Sequence, residues 1–302
     1  MTGTRRAASR SSVISPEEGA SRGDVAKNDD RTMNSMPYSP FLGLPIICIF
    51  GALVGSFLNV CIGRIPNGES IVTPPSHCPK CRMPIAFYDN VPLLSFIFLR
   101  GRCRACSERI SPRYFVVELM MGLFALALLH WFGLSFSFAV SFVFVAALIV
   151  ISFIDLDIRI VPDVISLPGI VLGLVFSAVG YFFFRDESSI VPSPLSSLIG
   201  IVTGGGFLLA TAWVYEKFTG VEGMGGGDIK LLAMIGAFLG WPSIPVTLFI
   251  ASLLGSIVGI ACMVLTGAGR RLALPFAPFL CAGALSYLFF GQRIIQWYLP
   301  PS

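Results

Sequence analysis

The stretch AVSFVFVAALIVISFIDLDIRIVPD, residues 139–163, decides how this chain is read. It carries no charge through Ile154, and then Asp155, Asp157, Arg159 and Asp163 follow in quick succession. A long apolar run that ends in acids marks a membrane helix leaving the bilayer. A second boundary of the same kind occurs at GMGGGDIK, residues 223–230, where Asp228 closes a glycine run and opens another apolar segment. Ionisable groups at such places are costly to keep and are therefore read as functional. The only histidines are His77 and His130. Two carboxylates are thus left to carry acid–base activation of water, the chemistry of an aspartyl protease.

Working outward, the composition agrees with a membrane protein. Of the 302 residues, 55% are hydrophobic and only 13% are charged, about half the charged share of soluble domains; the mean hydropathy is +0.80. The net charge of +4 does not point to nucleic acid, because the basic residues fall in loops and form no stripe. Apolar segments lie at about 41–62, 114–132, 136–154, 164–184, 195–215, 229–241, 243–266 and 272–290. The reading is an all-α polytopic membrane protein of about eight transmembrane helices. The sixth segment is short for a span; it is either tilted or enclosed by protein, which leaves seven spans as the other count.

Residues 1–40 are rich in Ser, Arg, Gly and Asp and are read as a disordered tail rather than a signal peptide. The first span covers 41–62, a hydrophilic insert 63–113, the remaining bundle 114–292 and a C-terminal tail 293–302. Arg64, Lys80, Arg82, Arg100, Arg102, Arg104, Arg109 and Arg113 all lie in the insert, and Arg159, Lys217, Arg270 and Arg271 lie in loops on the same side of an eight-span arrangement. The opposite loops and the C-terminus hold only Arg185 and Arg293. The positive-inside rule then puts the insert, Asp155 and Asp228 together on the cytoplasmic side.

Asp157 and Asp163 have a plainer reading than Asp155. The first suits a solvated helix exit, and Pro162-Asp163 reads as a helix start. Gly223, Gly225, Gly226 and Gly227 let another backbone come close to Asp228. Such a loop can also cradle phosphate at a helix N-terminus, but it lacks the Lys-Ser/Thr ending of a P-loop.

The insert carries its own signal. Cys78-Pro-Lys-Cys81 and Cys103-Arg-Ala-Cys106 are two CxxC knuckles separated by 21 residues. Paired thiolates at that spacing suit a tetrahedral zinc site in a small zinc-ribbon-like lobe, the competing reading being two disulfides. The insert has too few large apolar residues for a core, and a metal would supply the missing stability. Cys48, Cys61, Cys262 and Cys281 are scattered in apolar segments and read as small core residues. In Gly55-Ser56-Phe57-Leu58-Asn59 the small residues favour close helix packing, and Asn59 needs a polar partner in the bundle.

Taken in order, these motifs resemble the bacterial prepilin peptidase family, the type IV leader peptidases. GSFLNVCIGRIP, CPKC, DNVPLLSF, GRCRAC, ISPRYFVVE, FIDLDIRIVPD and GMGGGDIKLLAMIGAFLG follow the family's sequence of motifs between about residues 45 and 282. PFAPFL resembles a late motif that commonly reads PFGPFL, with Ala277 in place of the glycine. The resemblance implies that Asp155 and Asp228 form a catalytic dyad. It implies hydrolysis of the leaders of type IV prepilins or type II secretion pseudopilins, after a glycine, at the cytoplasmic face of the inner membrane. It also implies N-methylation of the new terminus with S-adenosylmethionine, because members with all four cysteines are typically bifunctional. Tyr114 and Glu118, where the insert meets the second span, are the expected donor-site residues, with a buried structural acid as the other reading of Glu118. The implied partners are prepilin or pseudopilin substrates and membrane lipid, with no nucleic acid. Two other classes compete: a transporter using intramembrane acids as proton relays, which has no use for the cysteine lobe, and a membrane scaffold, which leaves both aspartates unexplained.

Overall fold

A computed structural model describes residues 40–78, 80–184, 190–220, 225–266 and 274–298. The expected tails, apart from Pro40 and residues 293–298, lie outside them, as do Gly223 and Met224. Two compact units divide the chain at Leu44 and Pro45. Of the first, only Pro40–Leu44 is described, as the opening of a helix. All that follows concerns the second.

Among the described residues the secondary structure is helical: α1 Pro40–Arg64, a short α2 Leu94–Phe98, α3 Pro112–Phe132, α4 Phe136–Ile158, α5 Asp163–Phe183, α6 Pro194–Thr219, α7 Gly226–Leu239, α8 Ser243–Thr266 and α9 Ala277–Tyr298. The helices start where the sequence supplies caps. Ser111 accepts the Arg113 N–H ahead of Pro112, Ser135 accepts from Phe138, and Ser193 accepts from Ser196 ahead of Pro194. α4 stops at Arg159, whose left-handed φ of 57° turns the chain and returns its N–H to the Asp155 carbonyl at 2.9 Å.

Each of the eight expected apolar segments forms a helix. Six are long and apolar enough to cross a membrane, and Ala277–Gly291 within α9 is a shorter apolar helical stretch. α7 has 14 residues, about 21 Å at 1.5 Å per residue, well short of a hydrocarbon core of about 30 Å. The structure decides between the two readings of this segment: it is enclosed by protein. Every residue from Leu231 to Gly240 is buried. A helix apolar all round must be covered on all sides, and here the cover is protein rather than lipid.

Small residues make the enclosure possible. On α5, a Cβ at Gly173 would lie 2.8 Å from the Ala237 Cβ. On α6, Gly200 faces the Gly236 backbone, and a Cβ at Gly204 would meet the Leu232 carbonyl at 2.7 Å. The Gly169/Gly173 and Gly200/Gly204 pairs are both small-xxx-small faces. Ser197 adds a hydrogen bond from its Oγ to the Ala237 carbonyl at 2.6 Å. α1 meets α3 in the same way: a Cβ at Gly55 would lie 2.7 Å from the Glu118 Cα. The packing role read from GSFLN is what the structure shows, and Asn59 has its polar partner, the Tyr114 carbonyl, 3.0 Å from Nδ2.

Candidate functional site

Three helix ends converge at Asp155. It sits in the last turn of α4, 5% exposed. Its Oδ2 accepts the Ala277 N–H at 3.1 Å. Ala277 is the first residue of α9, so this is one of the N–H groups that a helix start leaves without an internal partner. The positive end of α9 therefore points at the carboxylate. Asp228 lies in the first turn of α7, half-buried. The two carboxylates are close enough for the charge of Asp155 to act on Asp228. The buried thiol of Cys281, one turn into α9, lies within the field of both. Read from the sequence, Cys281 is a small core residue; only folding brings it beside the acids.

The glycine run differs along its length. At Gly227 a Cβ would lie 2.8 Å from the Val161 Cβ, so a side chain there would push α7 away from the α4–α5 connection. At Gly225 and Gly226 a Cβ would meet nothing within 4 Å.

The neighbouring acids take the plainer roles expected of them. Asp163 is the first residue of α5, and its carboxylate oxygens accept from Lys230 Nζ at 2.7 and 2.8 Å. Asp157 is exposed at the helix exit and pairs with Arg113, which begins the return from the insert into α3. Arg113 was not singled out from the sequence, where it is one basic residue among many.

Glu118 is buried, and its Oε2 accepts the Leu93 N–H at 2.8 Å. Leu93 has φ 63° and ψ −50°, and the Leu94 N–H reaches back to the Pro92 carbonyl at 2.6 Å. This is a strained γ-turn, and a carboxylate holds its central N–H. Tyr114 is 41% exposed. The two residues expected at a donor site thus lie one turn apart on α3, one open to solvent and one withdrawn from it.

In the insert the four cysteines come together. Their sulfurs all lie within 4.8 Å of one another, and Cys78 Sγ is 3.8 Å from Cys106 Sγ. Zn–S bonds of about 2.3 Å in a tetrahedron set sulfurs about 3.8 Å apart, whereas a disulfide needs about 2.05 Å. The two knuckles repeat one another. Cys78 N–H donates to the Met83 carbonyl at 3.0 Å and Cys103 N–H to the Glu108 carbonyl at 2.8 Å. Arg82 and Ser107, each four residues past the first cysteine, turn back to it with φ of 57° and 58°. An ion pair between Lys80 and Glu108 joins one knuckle to the other.

The thiols are unequal. N–H groups of Cys81 and Lys80 point at Cys78 and bring its pKa down to about 6. At Cys106 the Glu108 N–H pulls the same way, but burial and the sulfurs of Cys81, Cys103 and Cys78 outweigh it and push the pKa up to about 11. Four thiolates this close repel one another unless a cation sits between them, and the donor set fits zinc. His77 lies beside the cluster with its Nδ1 3.2 Å from the Pro75 carbonyl, outside the sulfur set.

Comparison with known proteins covers both regions. A family model described as the type IV leader peptidase family matches residues 142–260, and one described as the bacterial peptidase A24 N-terminal domain matches residues 49–132. A prepilin leader peptidase/N-methyltransferase of Aeromonas hydrophila is 34% identical over 284 residues, covering 86% of this chain and 95% of that protein. Proteins of the same description from Burkholderia pseudomallei (strain 1026b) and Pseudomonas aeruginosa are 35% and 33% identical, covering 92% and 84% of this chain and 93% of each relative. No solved structure matches.

Proposed function

Because this chain belongs to the type IV leader peptidase family, we propose that it is a multi-pass membrane endopeptidase that removes the leaders of type IV prepilins or type II secretion pseudopilins after a glycine, and then N-methylates the new terminus. The observation that carries the peptidase reading is the meeting of Asp155 and Asp228 at one end of the bundle, between the starts of α7 and α9. In this reading one carboxylate is ionised and takes a proton from water as the water attacks the scissile carbonyl. The other is protonated and gives its proton to the carbonyl oxygen. Collapse of the tetrahedral adduct breaks the C–N bond; the leaving amine takes a proton back from the acid that acted as base, and one hydroxyl of the adduct returns its proton to the other carboxylate. The Ala277 N–H holds Asp155 in one orientation throughout, so little reorganisation is left for the reaction itself.

Lys and Arg dominate the loops at the end that carries both acids, which supports the cytoplasmic face of the inner membrane as the place of cleavage. Zinc held by Cys78, Cys81, Cys103 and Cys106 would give the insert a fixed shape. For the second step, the methyl donor S-adenosylmethionine is placed at the junction of insert and bundle around Tyr114. The amine must lose a proton to attack, and Glu118 is the acid nearest that junction along α3. Its engagement with Leu93 means that it acts as base only if that turn opens, and otherwise holds the turn in place.

Vesicles containing the protein and a prepilin test the reading directly. Leader removal is expected from the native chain and from neither Asp155→Asn nor Asp228→Asn. Cleavage by the Asp228→Asn chain would end the dyad assignment.

A further inference from the structure

We propose that Lys230 and Asp163 are positioning residues for the cleavage reaction, fixing where Asp228 stands relative to Asp155. The proposal rests on the reading of those two aspartates as the catalytic pair. It starts from a difference between them. Asp155 is held through its side chain by the Ala277 N–H at 3.1 Å. The Asp228 carboxylate has no hydrogen bond among the described residues, so its position is set by wherever the first turn of α7 lies.

Two contacts place that turn, one to the connection between α4 and α5 and one to the first residue of α5. Gly227 packs its backbone against Val161, with no room for a Cβ. Lys230, two residues past Asp228, donates to both oxygens of Asp163 at 2.7 and 2.8 Å. Asp163 opens α5 directly after the short connection 159–162 that follows the last turn of α4, the turn that holds Asp155, so the ion pair ties the start of α7 to the segment leading away from the first acid. Val161 and Gly227 set how close those segments come. The ion pair sets how far one slides along the other.

The pair is poorly explained as a stabilising device. Its side chains are 37% and 55% exposed, and ion pairs this open add little to folding. Its geometry is well suited to positioning, because a shift of about 1 Å in a reacting group costs on the order of a hundredfold in rate.

The test uses full-length protein in vesicles with a prepilin substrate, measuring kcat and KM separately. Lys230→Gln and Asp163→Asn are each expected to lower kcat by roughly ten- to a hundredfold, with KM within about twofold of the native value. The double variant is expected to be no worse than the poorer single, since one contact is lost in each case. Lys230→Arg, which keeps the charge and two donors, is expected to recover most of the rate. The proposal is overturned if either single variant keeps the native kcat, if the losses multiply in the double variant, or if the loss appears in KM. It is equally overturned if kcat falls only in parallel with the unfolding temperature in detergent. Asp228→Asn is run alongside: cleavage by that variant removes the dyad reading, whereas its inactivity beside native Lys230→Gln rates removes this proposal alone.

Discussion

From Leu231 to Gly240 every residue of the chain is buried, whereas between Ile65 and Ser111 only Cys78 and Gly101 are, among the described residues. Both regions bring distant residues to one point, and they do so by opposite means. The bundle fixes Asp228 by surfaces: glycines on α5 and α6 admit α7, and the acid rides on that helix. The insert has almost no surface to pack. Its cysteines are gathered by two matching turns and an ion pair between them, into a donor set that fits a shared metal. The fold of the bundle tolerates loss of a charge but not of a contour, the Lys230–Asp163 pair acting on the placement of Asp228 rather than on the fold; a ligand cluster behaves the other way round.

The strongest test of that contrast replaces the acids without altering any contour. Asp155→Asn and Asp228→Asn are expected to reduce leader cleavage by roughly a thousandfold or more, with the protein still inserted and its zinc content unchanged; cleavage and metal analysis on the same sample check both. Next in size is a contour change that touches no acid. Gly173→Leu forces a side chain into the space of Ala237 and is expected to cost at least about 1–3 kcal/mol. It should take cleavage down with the unfolding temperature while leaving zinc bound. A Gly173→Leu protein that melts and cleaves like the native one would mean that surfaces do not position α7.

The opposite perturbation strikes the insert. The native protein is expected to carry about one zinc per chain. The double variant Cys78→Ser, Cys81→Ser should lose it and expose 65–111 to proteases, with cleavage reduced only in part. Complete loss of cleavage would show that the insert and the bundle are not independent. Smaller still is Glu118→Gln, which keeps the shape and still accepts from Leu93. Mass spectrometry of the mature pilin should find methylation lowered at unchanged cleavage; methylation at the native level would leave Glu118 as the support of the Leu93 turn and nothing more. Least of all, Lys80→Ala removes an exposed ion pair between the knuckles and is expected to leave zinc content and both activities within error.

Much of this was legible in the sequence because the signals were local. Eight apolar runs are eight helices, and two CxxC pairs meet. Asp163 opens a helix after Pro162, and the small residues of GSFLN pack against α3. What stayed hidden was relational. Nothing in PFAPFL says that the Ala277 N–H reaches Asp155 across 122 positions of chain. Nothing in GMGGGDIK says that Lys230 reaches back to Asp163. The enclosure of α7 was only half legible: its shortness was plain, but the glycine pairs of α5 and α6 that receive it gain meaning only once the helices are paired. The expectation for Glu118 rested on its place at the junction, and the Leu93 turn that occupies it is a backbone feature that residue types do not announce.

The shortness of α7 also bears on how the protein is made. A segment of some 21 Å with Asp228 in its first turn and Lys230 just beyond it has little to gain from lipid by itself. It cannot be sorted into the bilayer by hydrophobicity alone, as its longer neighbours can. Its seat is the pair of glycine faces on α5 and α6, and both precede it in the chain. Synthesis therefore delivers the receptacle before the guest, and the second acid reaches the first only after α4 to α7 have assembled. A nascent chain stopped before α7 lacks the second acid altogether.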